Sequence, residues 1–174
     1  MTAFCDTDEF KRGSTGEKIV ATYLQQCGYY VIPSYDYSGD DGDKAPKLQG
    51  LLQSYVIPDL DIAKDGKRKW CEVKTKHAAT WTRTTQQWEH GIPKRHLDSY
   101  LQVEAITGTE VFLVIYEEST GSLLRQSAQE IAKTGRLSQM KKEGRTQGAM
   151  VYFPRDAMVQ IGTLPVAAEI AAVR

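Results

Sequence analysis

Residues 57–74 have the sequence IPDLDIAKDGKRKWCEVK, and this stretch decides the fold. Two extended runs flank the dipeptide Asp65-Gly66. Asp-Gly between such runs is a strong signal for a β-hairpin, because a type I′ turn needs positive φ at both central residues. We therefore predict a pair of antiparallel strands over residues 55–63 and 67–76.

A two-residue turn fixes which side chains face each other, and it places Asp59 directly opposite Glu72. Side chains alternate along a strand, so Asp59, Asp61, Glu72 and Lys74 share one face. Like charges directly opposite each other are destabilising. A divalent cation would offset that repulsion, because Mg²⁺ is commonly held by one or two carboxylates together with substrate phosphates. Lys74 would then orient a water molecule or stabilise charge on a phosphate.

Two alternatives stay open for this hairpin. The acidic face could be an exposed sheet surface on which nearby lysines offset the charge of the carboxylates, while Leu60, Ile62, Cys71 and Val73 face the core. Asp61 could be a second ligand, a spectator, or the true ligand if the register shifts by one residue.

The length and composition indicate one globular domain over residues 1–174, since the chain has 41% apolar and 25% charged residues. No apolar run approaches the length of a membrane span, and the first residues lack the pattern of a signal peptide. Cys5, Cys27 and Cys71 lie far apart, which favours a reducing compartment. We expect a cytoplasmic protein with no membrane partner.

The net charge of zero hides two basic blocks. Residues 64–95 carry nine basic and three acidic side chains, and residues 121–146 carry six basic and two acidic ones. Such blocks suit contacts with nucleic-acid phosphates, although either block alone is also typical of a solvated surface.

The remaining pattern predicts a mixed sheet flanked by helices, an α/β fold. Ser14 and Glu17 form a capping box that predicts a helix over 14–27, with Gly28 as its C-cap. A second helix is predicted from Pro93 to residue 107. The other predicted elements are strands at 29–32, 110–116 and 150–153, a strand fragment plus a short helix within 123–147, a short helix at 166–173, and an irregular loop at 38–46.

Ile57-Pro58-Asp59, followed thirteen residues after the aspartate by Glu72-Val73-Lys74, resembles the PD-(D/E)xK motif of the restriction-endonuclease-like nucleases. The spacing is similar to that of archaeal-type Holliday junction resolvases, and the chain also resembles small phage and prophage nucleases. This resemblance covers about residues 13–116. It implies a nuclease core over 13–116 and a C-terminal elaboration over 117–174.

The resemblance also implies roles for residues outside the hairpin. Glu17 matches a glutamate on the first helix that contributes to the metal site, whereas its place in the capping box offers a purely structural role. His96 and Tyr100 match a Q-x-x-x-Y motif on a later helix, with histidine in place of glutamine. His96 would contact phosphate or position the DNA near Lys74, or the pair could be a surface histidine beside a packed aromatic ring.

Further DNA contacts are expected from basic and polar side chains near the hairpin. Residues 81–94 are predicted to form a loop that contacts DNA, the alternative being an ordinary loop with Trp88 packed on the body. The cluster at 133–145 is either a patch that follows the DNA backbone or a solvated helix. The residues predicted to bind DNA, besides His96 and Tyr100, are Lys76, Arg83, Gln87, Lys94 and Arg95.

The sequence thus predicts a Mg²⁺- or Mn²⁺-dependent DNA endonuclease, acting on duplex or branched DNA and junction-resolving or structure-selective in form. Asp59, Glu72 and Glu17 would hold the metal, and Lys74 would act on the reacting water or phosphate. A homodimer is implied by the resemblance, and no small-molecule cofactor is expected. The alternatives are a non-catalytic DNA- or protein-binding module on the same fold and a nuclease that acts on RNA.

Overall fold

The computed structural model describes residues 8–34, 47–49, 53–142 and 145–165. The predicted loop at 38–46 and the predicted helix at 166–173 lie outside these residues. The described chain is α/β with a central mixed sheet, which confirms the predicted fold class. No helix in this part of the chain is long and apolar enough to cross a membrane.

Strands make up most of the described elements, and helices are interspersed among them. The strands are β1 (Tyr30–Pro33), β2 (Lys47–Gln49), β3 (Ser54–Val56), β4 (Leu60–Lys64), β5 (Lys67–Lys76), β6 (Thr80–Thr82), β7 (Gln87–Pro93), β8 (Val111–Glu117), β9 (Ser122–Ser127), β10 (Arg136–Lys142), β11 (Arg145–Pro154) and β12 (Val159–Thr163). The helices are α1 (Asp8–Gln26), α2 (Lys94–Thr107) and α3 (Ala128–Thr134), and a 3₁₀ turn spans Arg155–Ala157.

The first helix is longer than predicted. It begins at Asp8, so Ser14 lies inside the helix and the predicted capping box is wrong. Gly28 ends the helix as predicted, because its φ of 84° is the left-handed conformation that glycine adopts without strain. The N–H of Tyr29 then donates to the carbonyl of Leu24, which completes the helix end.

The predicted turn and register of the hairpin are confirmed. The first strand, predicted over 55–63, begins only at Leu60, because residues 54–56 pair with β2 in a separate two-stranded sheet. Asp65 and Gly66 have φ values of 51° and 73°, as a two-residue type I′ turn requires. Asp61 pairs with Trp70 across the β4–β5 ladder, and Leu60 pairs with Cys71. Asp59 directly precedes β4 and continues this register towards Glu72.

The central sheet has the strand order β1-β4-β5-β8-β9-β12, and its β5–β8 pair is parallel. Both faces of the hairpin are covered. The face that carries Leu60 and Val73 packs with Val20 and Leu24 of α1 in one hydrophobic cluster. The opposite face packs Trp70 in a second cluster with side chains of α2 and α3. The alternative of a solvent-exposed acidic face is therefore wrong.

A second sheet, with the order β10-β11-β7-β6, was not predicted. Residues 80–82 and 87–93 are strands rather than the loop expected at 81–94. Residues 123–147 contain β9 and α3 as predicted but continue into a β-hairpin. The basic cluster at 133–145 therefore does not form one solvated helix, because residues 136–142 and 145–154 pair as antiparallel strands.

A buried ion cluster joins the two sheets. Glu117, at the end of β8, accepts a hydrogen bond of 2.8 Å from Nη2 of Arg155 and lies 2.8 Å from Nε2 of His90 in β7. Burial opposes ionisation of Glu117, but the hydrogen bonds from Arg155 and His90 outweigh it and lower the pKa of this carboxyl. Burial also lowers the pKa of His90, although Glu117 offsets part of that shift.

Candidate active site

The site begins at Asp59, where the chain turns into β4. Oδ2 of Asp59 accepts a hydrogen bond of 2.8 Å from the backbone N–H of Val73. This bond fixes the carboxylate against β5 between the positions of Glu72 and Lys74. Asp59 is only 8% exposed, so its carboxylate lies in a medium that stabilises charge poorly.

Glu72 and Lys74 lie two residues apart on β5 and form an ion pair at the site. Lys74 Nζ donates to Oε1 of Glu72. Glu72 is 2% exposed, whereas about a quarter of the Lys74 side chain reaches solvent. The ammonium group therefore lies between a buried carboxylate and the surface from which a substrate would approach.

Helix α1 brings Glu17 to the same site through a close contact with β5. A Cβ atom added to Gly16 would lie 1.8 Å from Oγ1 of Thr75, so only glycine permits this approach. Thr75 directly follows Lys74, and the half-buried Glu17 directly follows Gly16. The close approach thus places Glu17 within electrostatic range of Lys74 and Glu72.

Three carboxyl groups, those of Asp59, Glu72 and Glu17, and one ammonium group, that of Lys74, interact electrostatically at the site. Burial and then the neighbouring Glu72 carboxylate raise the pKa of Asp59 well above its usual range, with Lys74 opposing them. Burial also raises the pKa of Glu17, although Lys74 lowers it in part. Burial lowers the pKa of Lys74, but the surrounding carboxylates, Glu72 first, more than reverse this and raise it. Lys74 therefore stays protonated, and the buried carboxylates favour the arrival of a further positive charge.

His96 belongs to α2, the helix that packs with Trp70 on the second face of the central sheet. Burial, and next the charge of Lys74, lower the pKa of His96, while Glu72 raises it. His96 is therefore an electrostatic neighbour of the site residues. Its ring meets that of Tyr100 edge to face at a centroid distance of 6.3 Å, and Nδ1 lies 3.5 Å from the Tyr100 hydroxyl oxygen. Tyr100 is buried in the core, and His96 is partly exposed.

The other predicted DNA-binding residues belong to β5, to the hairpin of β6 and β7, and to the start of α2. Lys76 follows Lys74 on the same strand and is half-buried; burial, and next the charge of Lys74, lower its pKa. Arg83 and Gln87 are exposed on the hairpin of β6 and β7. Lys94 begins α2 and forms an ion pair of 2.6 Å with Asp98, while Arg95 is exposed.

Asp61 forms an ion pair with Arg68. The guanidinium donates three hydrogen bonds of 2.7, 2.8 and 3.0 Å to its two carboxylate oxygens. This arginine competes with any metal for the carboxylate, which favours the spectator role for Asp61.

The donor set fits a hard divalent cation that is completed by water and substrate. Asp59 and Glu72 offer carboxyl oxygens, the donors that such a cation prefers, and both side chains are buried beside Lys74. Within the described ranges, no three histidine, cysteine or carboxylate side chains converge closely enough to hold a metal by themselves. Glu17 lies within electrostatic range of both hairpin carboxylates, and its role as a further metal ligand stays a prediction.

Two solved structures with a similar fold are nucleases. The chain is similar to Hjc, a Holliday junction resolvase from Archaeoglobus fulgidus, with a TM-score of 0.53 and 12% identity over 92% of this chain and 96% of that one. The chain has the restriction-endonuclease-like fold. A second solved structure with this fold, the nuclease D212 from a fusellovirus, matches with a TM-score of 0.50 and 12% identity over 92% of this chain and 91% of that one. No protein-family model and no curated protein sequence matches the chain.

Sequence reasoning missed two residues that shape the site within the restriction-endonuclease-like fold. Gly16 has no side chain to attract attention, yet it sets the distance between α1 and β5. The Thr75 hydroxyl is buried and has no hydrogen-bond partner in the described chain. A glycine in the middle of an amphipathic helix, directly before an acidic residue, was the available signal, because glycine weakens a helix unless close packing requires it.

Proposed function

We propose that this chain is a divalent-metal-dependent nuclease that hydrolyses phosphodiester bonds in DNA. The observation that carries the proposal is the buried pair Asp59 and Glu72, held beside Lys74 at the end of the β4–β5 hairpin. Burying two carboxylates is unfavourable unless positive charge compensates them, and Lys74 alone leaves an excess of negative charge. Such a site suits a cation that arrives with the substrate.

Each residue has a distinct proposed role. Asp59 and Glu72 hold the metal, and Glu17 adds negative charge or a water-mediated contact from α1. A bound Mg²⁺ or Mn²⁺ ion would lower the pKa of a coordinated water and neutralise charge on the phosphate. Lys74, held protonated by its carboxylate neighbours, orients the attacking water or stabilises the charge that develops on the phosphoryl oxygens.

The DNA would lie across the partly exposed side of Lys74. His96 of α2, supported by Tyr100, is proposed to contact a phosphate on one side of the reacting group. Lys76 and Arg83 are proposed to follow the backbone on the side of the second sheet, with Gln87 beside them. Lys94 and Arg95 are proposed to do so at the start of α2.

The fold of a Holliday junction resolvase supports an endonuclease that prefers branched DNA. We propose that residues 1–174 form one nuclease domain, that the protein acts in the cytoplasm, and that two copies act together. Sedimentation of the purified protein tests the last point: a mass of two chains supports a homodimer, and a mass of one chain excludes it at that concentration.

A cleavage assay tests the proposed activity. Wild type, Lys74→Ala and Lys69→Ala are incubated with linear, supercoiled, single-stranded and four-way-junction DNA in Mg²⁺, Mn²⁺ or EDTA. Lys69 is the matched control, because it is a lysine of the same strand that pairs with Glu110 away from the site. Metal-dependent cutting that is lost in Lys74→Ala and kept in Lys69→Ala supports the nuclease. DNA binding by wild type without cutting in either metal overturns it and favours a non-catalytic binding module.

A further inference from the structure

The hairpin of β6 and β7 exposes aromatic side chains on one face and buries a carboxylate on the other. Trp81 lies directly opposite Trp88, so both side chains project from the same face. These two tryptophans are 48% and 51% exposed, whereas Glu89 on the opposite face is 3% exposed. A hairpin that served only the core would bury its aromatic rings and expose its carboxylate. The alternative of Trp88 packed on the body is therefore wrong.

This arrangement is held in place by a specific set of contacts to Glu89. The guanidinium of Arg136 donates to both carboxylate oxygens, at 3.1 and 2.6 Å. The hydroxyls of Thr82 and Thr85 donate to the same carboxylate at 2.7 and 2.9 Å. These hydrogen bonds hold the Glu89 face of the hairpin in the interior, so the two indole rings remain on the solvent side.

The exposed rings form a preformed aromatic surface. Their centroids are 5.5 Å apart with an interplanar angle of 65°, an edge-to-face arrangement that leaves ring faces open to solvent. Trp70, the remaining tryptophan of the chain, is only 8% exposed.

The surroundings of the two rings are cationic and polar. Residues 76–88 include Lys76 and Arg83 but no aspartate or glutamate. Arg136 neutralises the carboxylate of Glu89, the next residue along the chain. A groove beside Trp88 is lined by Ala78, Ala79, Glu117, Ser119, Thr120, Arg155 and Asp156, and Arg155 pairs with Glu117 there. Aromatic faces among cations and hydroxyls match a nucleobase with its phosphate better than a purely apolar surface.

We propose that Trp81 and Trp88 are a stacking platform for unpaired nucleobases of single-stranded DNA. The position of the platform rests on the proposed function, because β6 begins shortly after β5, the strand that carries Lys74. A strand whose phosphates approach Lys74 would continue past Lys76 and lay its bases on the indole rings. The substrate class is then DNA with a single-stranded segment next to the cleaved bond, rather than a fully paired duplex. Stacking on aromatic rings tolerates any base, so little sequence preference is expected.

Binding measured without metal tests the platform and needs no cleavage. A fluorescein-labelled oligothymidylate and a blunt duplex of the same length are titrated in EDTA and followed by anisotropy. The variants are Trp81→Leu and Trp88→Leu, which keep an apolar pair across the hairpin, and Trp81→Phe and Trp88→Phe, which keep an aromatic face. Ile106→Ala is the control, because it removes an exposed apolar side chain from α2.

We expect each leucine variant to weaken binding of the single strand by roughly five- to 150-fold, with a smaller loss in the phenylalanine variants. Duplex binding and the Ile106→Ala variant should change little. Equal single-strand binding by wild type and the leucine variants overturns the platform, as does a wild-type preference for the duplex. Circular dichroism and Tm of each variant confirm that the hairpin is still folded.

The two proposals fail separately. Single-strand binding that depends on the tryptophans, without cleavage in any metal, would overturn the proposed nuclease activity and support the stacking platform. Metal-dependent cleavage, together with single-strand binding that is unchanged by substitution of Trp81 or Trp88, would overturn the platform and support the nuclease activity.

Discussion

The backbone N–H of Val73 donates a hydrogen bond of 2.8 Å to the carboxylate of Asp59 and so ties the two strands of the hairpin together at the site. This bond compensates only part of the cost of burying Asp59, whose pKa burial and the charge of Glu72 still raise well above its usual range. The site is therefore arranged at the expense of stability, a trade-off common at functional sites.

Asp59→Asn should stabilise the metal-free protein at neutral pH. The amide oxygen can keep the bond from Val73, and the substitution removes the repulsion from Glu72. Because the folded state raises the pKa of Asp59, the folded state binds the extra proton, and the penalty vanishes as the pH falls below the ordinary aspartate pKa of about 3.9. We expect a gain of about 1 kcal/mol at pH 7.5, or 2–4 °C in Tm, and less at pH 4. Urea titration in EDTA at both pH values measures it.

Asp61→Asn is the matched control, because Arg68 already compensates this partly exposed carboxylate. We expect a loss of up to about 1 kcal/mol at neutral pH. A loss of stability in Asp59→Asn at both pH values would show that the buried carboxylate is not a source of strain.

Metal binding should raise the thermal stability of wild type. A ligand that binds the folded state alone stabilises it by about 2.7 kcal/mol at one hundred times its Kd. We expect Mg²⁺ and Mn²⁺ to raise Tm by roughly 5–10 °C, and EDTA to reverse the shift. Glu72→Gln should abolish the shift, and Asp61→Asn should keep it. A Tm shift that persists in Glu72→Gln and is lost in Asp61→Asn would indicate that Asp61 holds the metal instead.

Gly16→Ala should destabilise the protein although alanine is the better helix former. The added Cβ would collide with the side chain of Thr75, and overpacking of this kind costs about 1–3 kcal/mol. Gly13→Ala is the control in the same helix, because its Cβ meets no atom within 4 Å and should gain roughly 0.5–1 kcal/mol.

A second substitution tests the cause of the Gly16→Ala effect. Thr75→Ala removes the atom nearest to the new Cβ, so the double variant should regain much of the lost stability. Chemical denaturation of the four proteins gives the coupling free energy. Additive effects would mean that Gly16 does not set the approach of α1 to β5.

Glu89→Gln should destabilise the protein in a pH-dependent way. The hydrogen bonds from Arg136, opposed by burial, lower the pKa of Glu89, so its contribution is complete above the ordinary glutamate pKa of about 4.3 and is lost as the pH falls through the lower folded value. The Arg136 side chain is 36% exposed and can be solvated in the variant, so we expect a loss of about 1–3 kcal/mol at pH 7. The difference between wild type and variant should shrink below about pH 4.

Denaturation curves from pH 3 to 7 measure this difference, with Glu130→Gln as the control. Glu130 is part of an exposed pair with Lys133 at 3.7 Å and should contribute less than about 1 kcal/mol. A Glu89→Gln deficit that stays constant below pH 4 would contradict the proposed role of the charge.

The hairpin could be predicted from sequence because its information is local. Asp65-Gly66 fixes the turn, the turn fixes the register, and the register brings Asp59 to Glu72. The start of α1 could not be placed from Ser14, since the same capping pattern also occurs inside helices. Thr15 and Thr22 in that helix donate their hydroxyls to carbonyls four residues back instead of capping an end.

The second sheet could not be predicted because two consecutive buried residues of β7 are polar and their partners are distant in sequence. Glu89 and His90 break the apolar pattern of β7, and each is satisfied by a residue far along the chain, Arg136 and Glu117 respectively. Local patterns contain no sign of such pairs, so the exposed tryptophans of the same hairpin also appeared to belong to a loop.

The buried cluster around Glu117 has a consequence for how the molecule opens. His90 belongs to the second sheet, Glu117 to the central sheet, and Arg155 to the turn through which the chain returns from one to the other. Separating the sheets would break the contact between His90 and Glu117, two side chains that are both buried. Amide protons of β7 and β8 should therefore exchange with solvent only through one shared, cooperative opening, and neither sheet should melt alone.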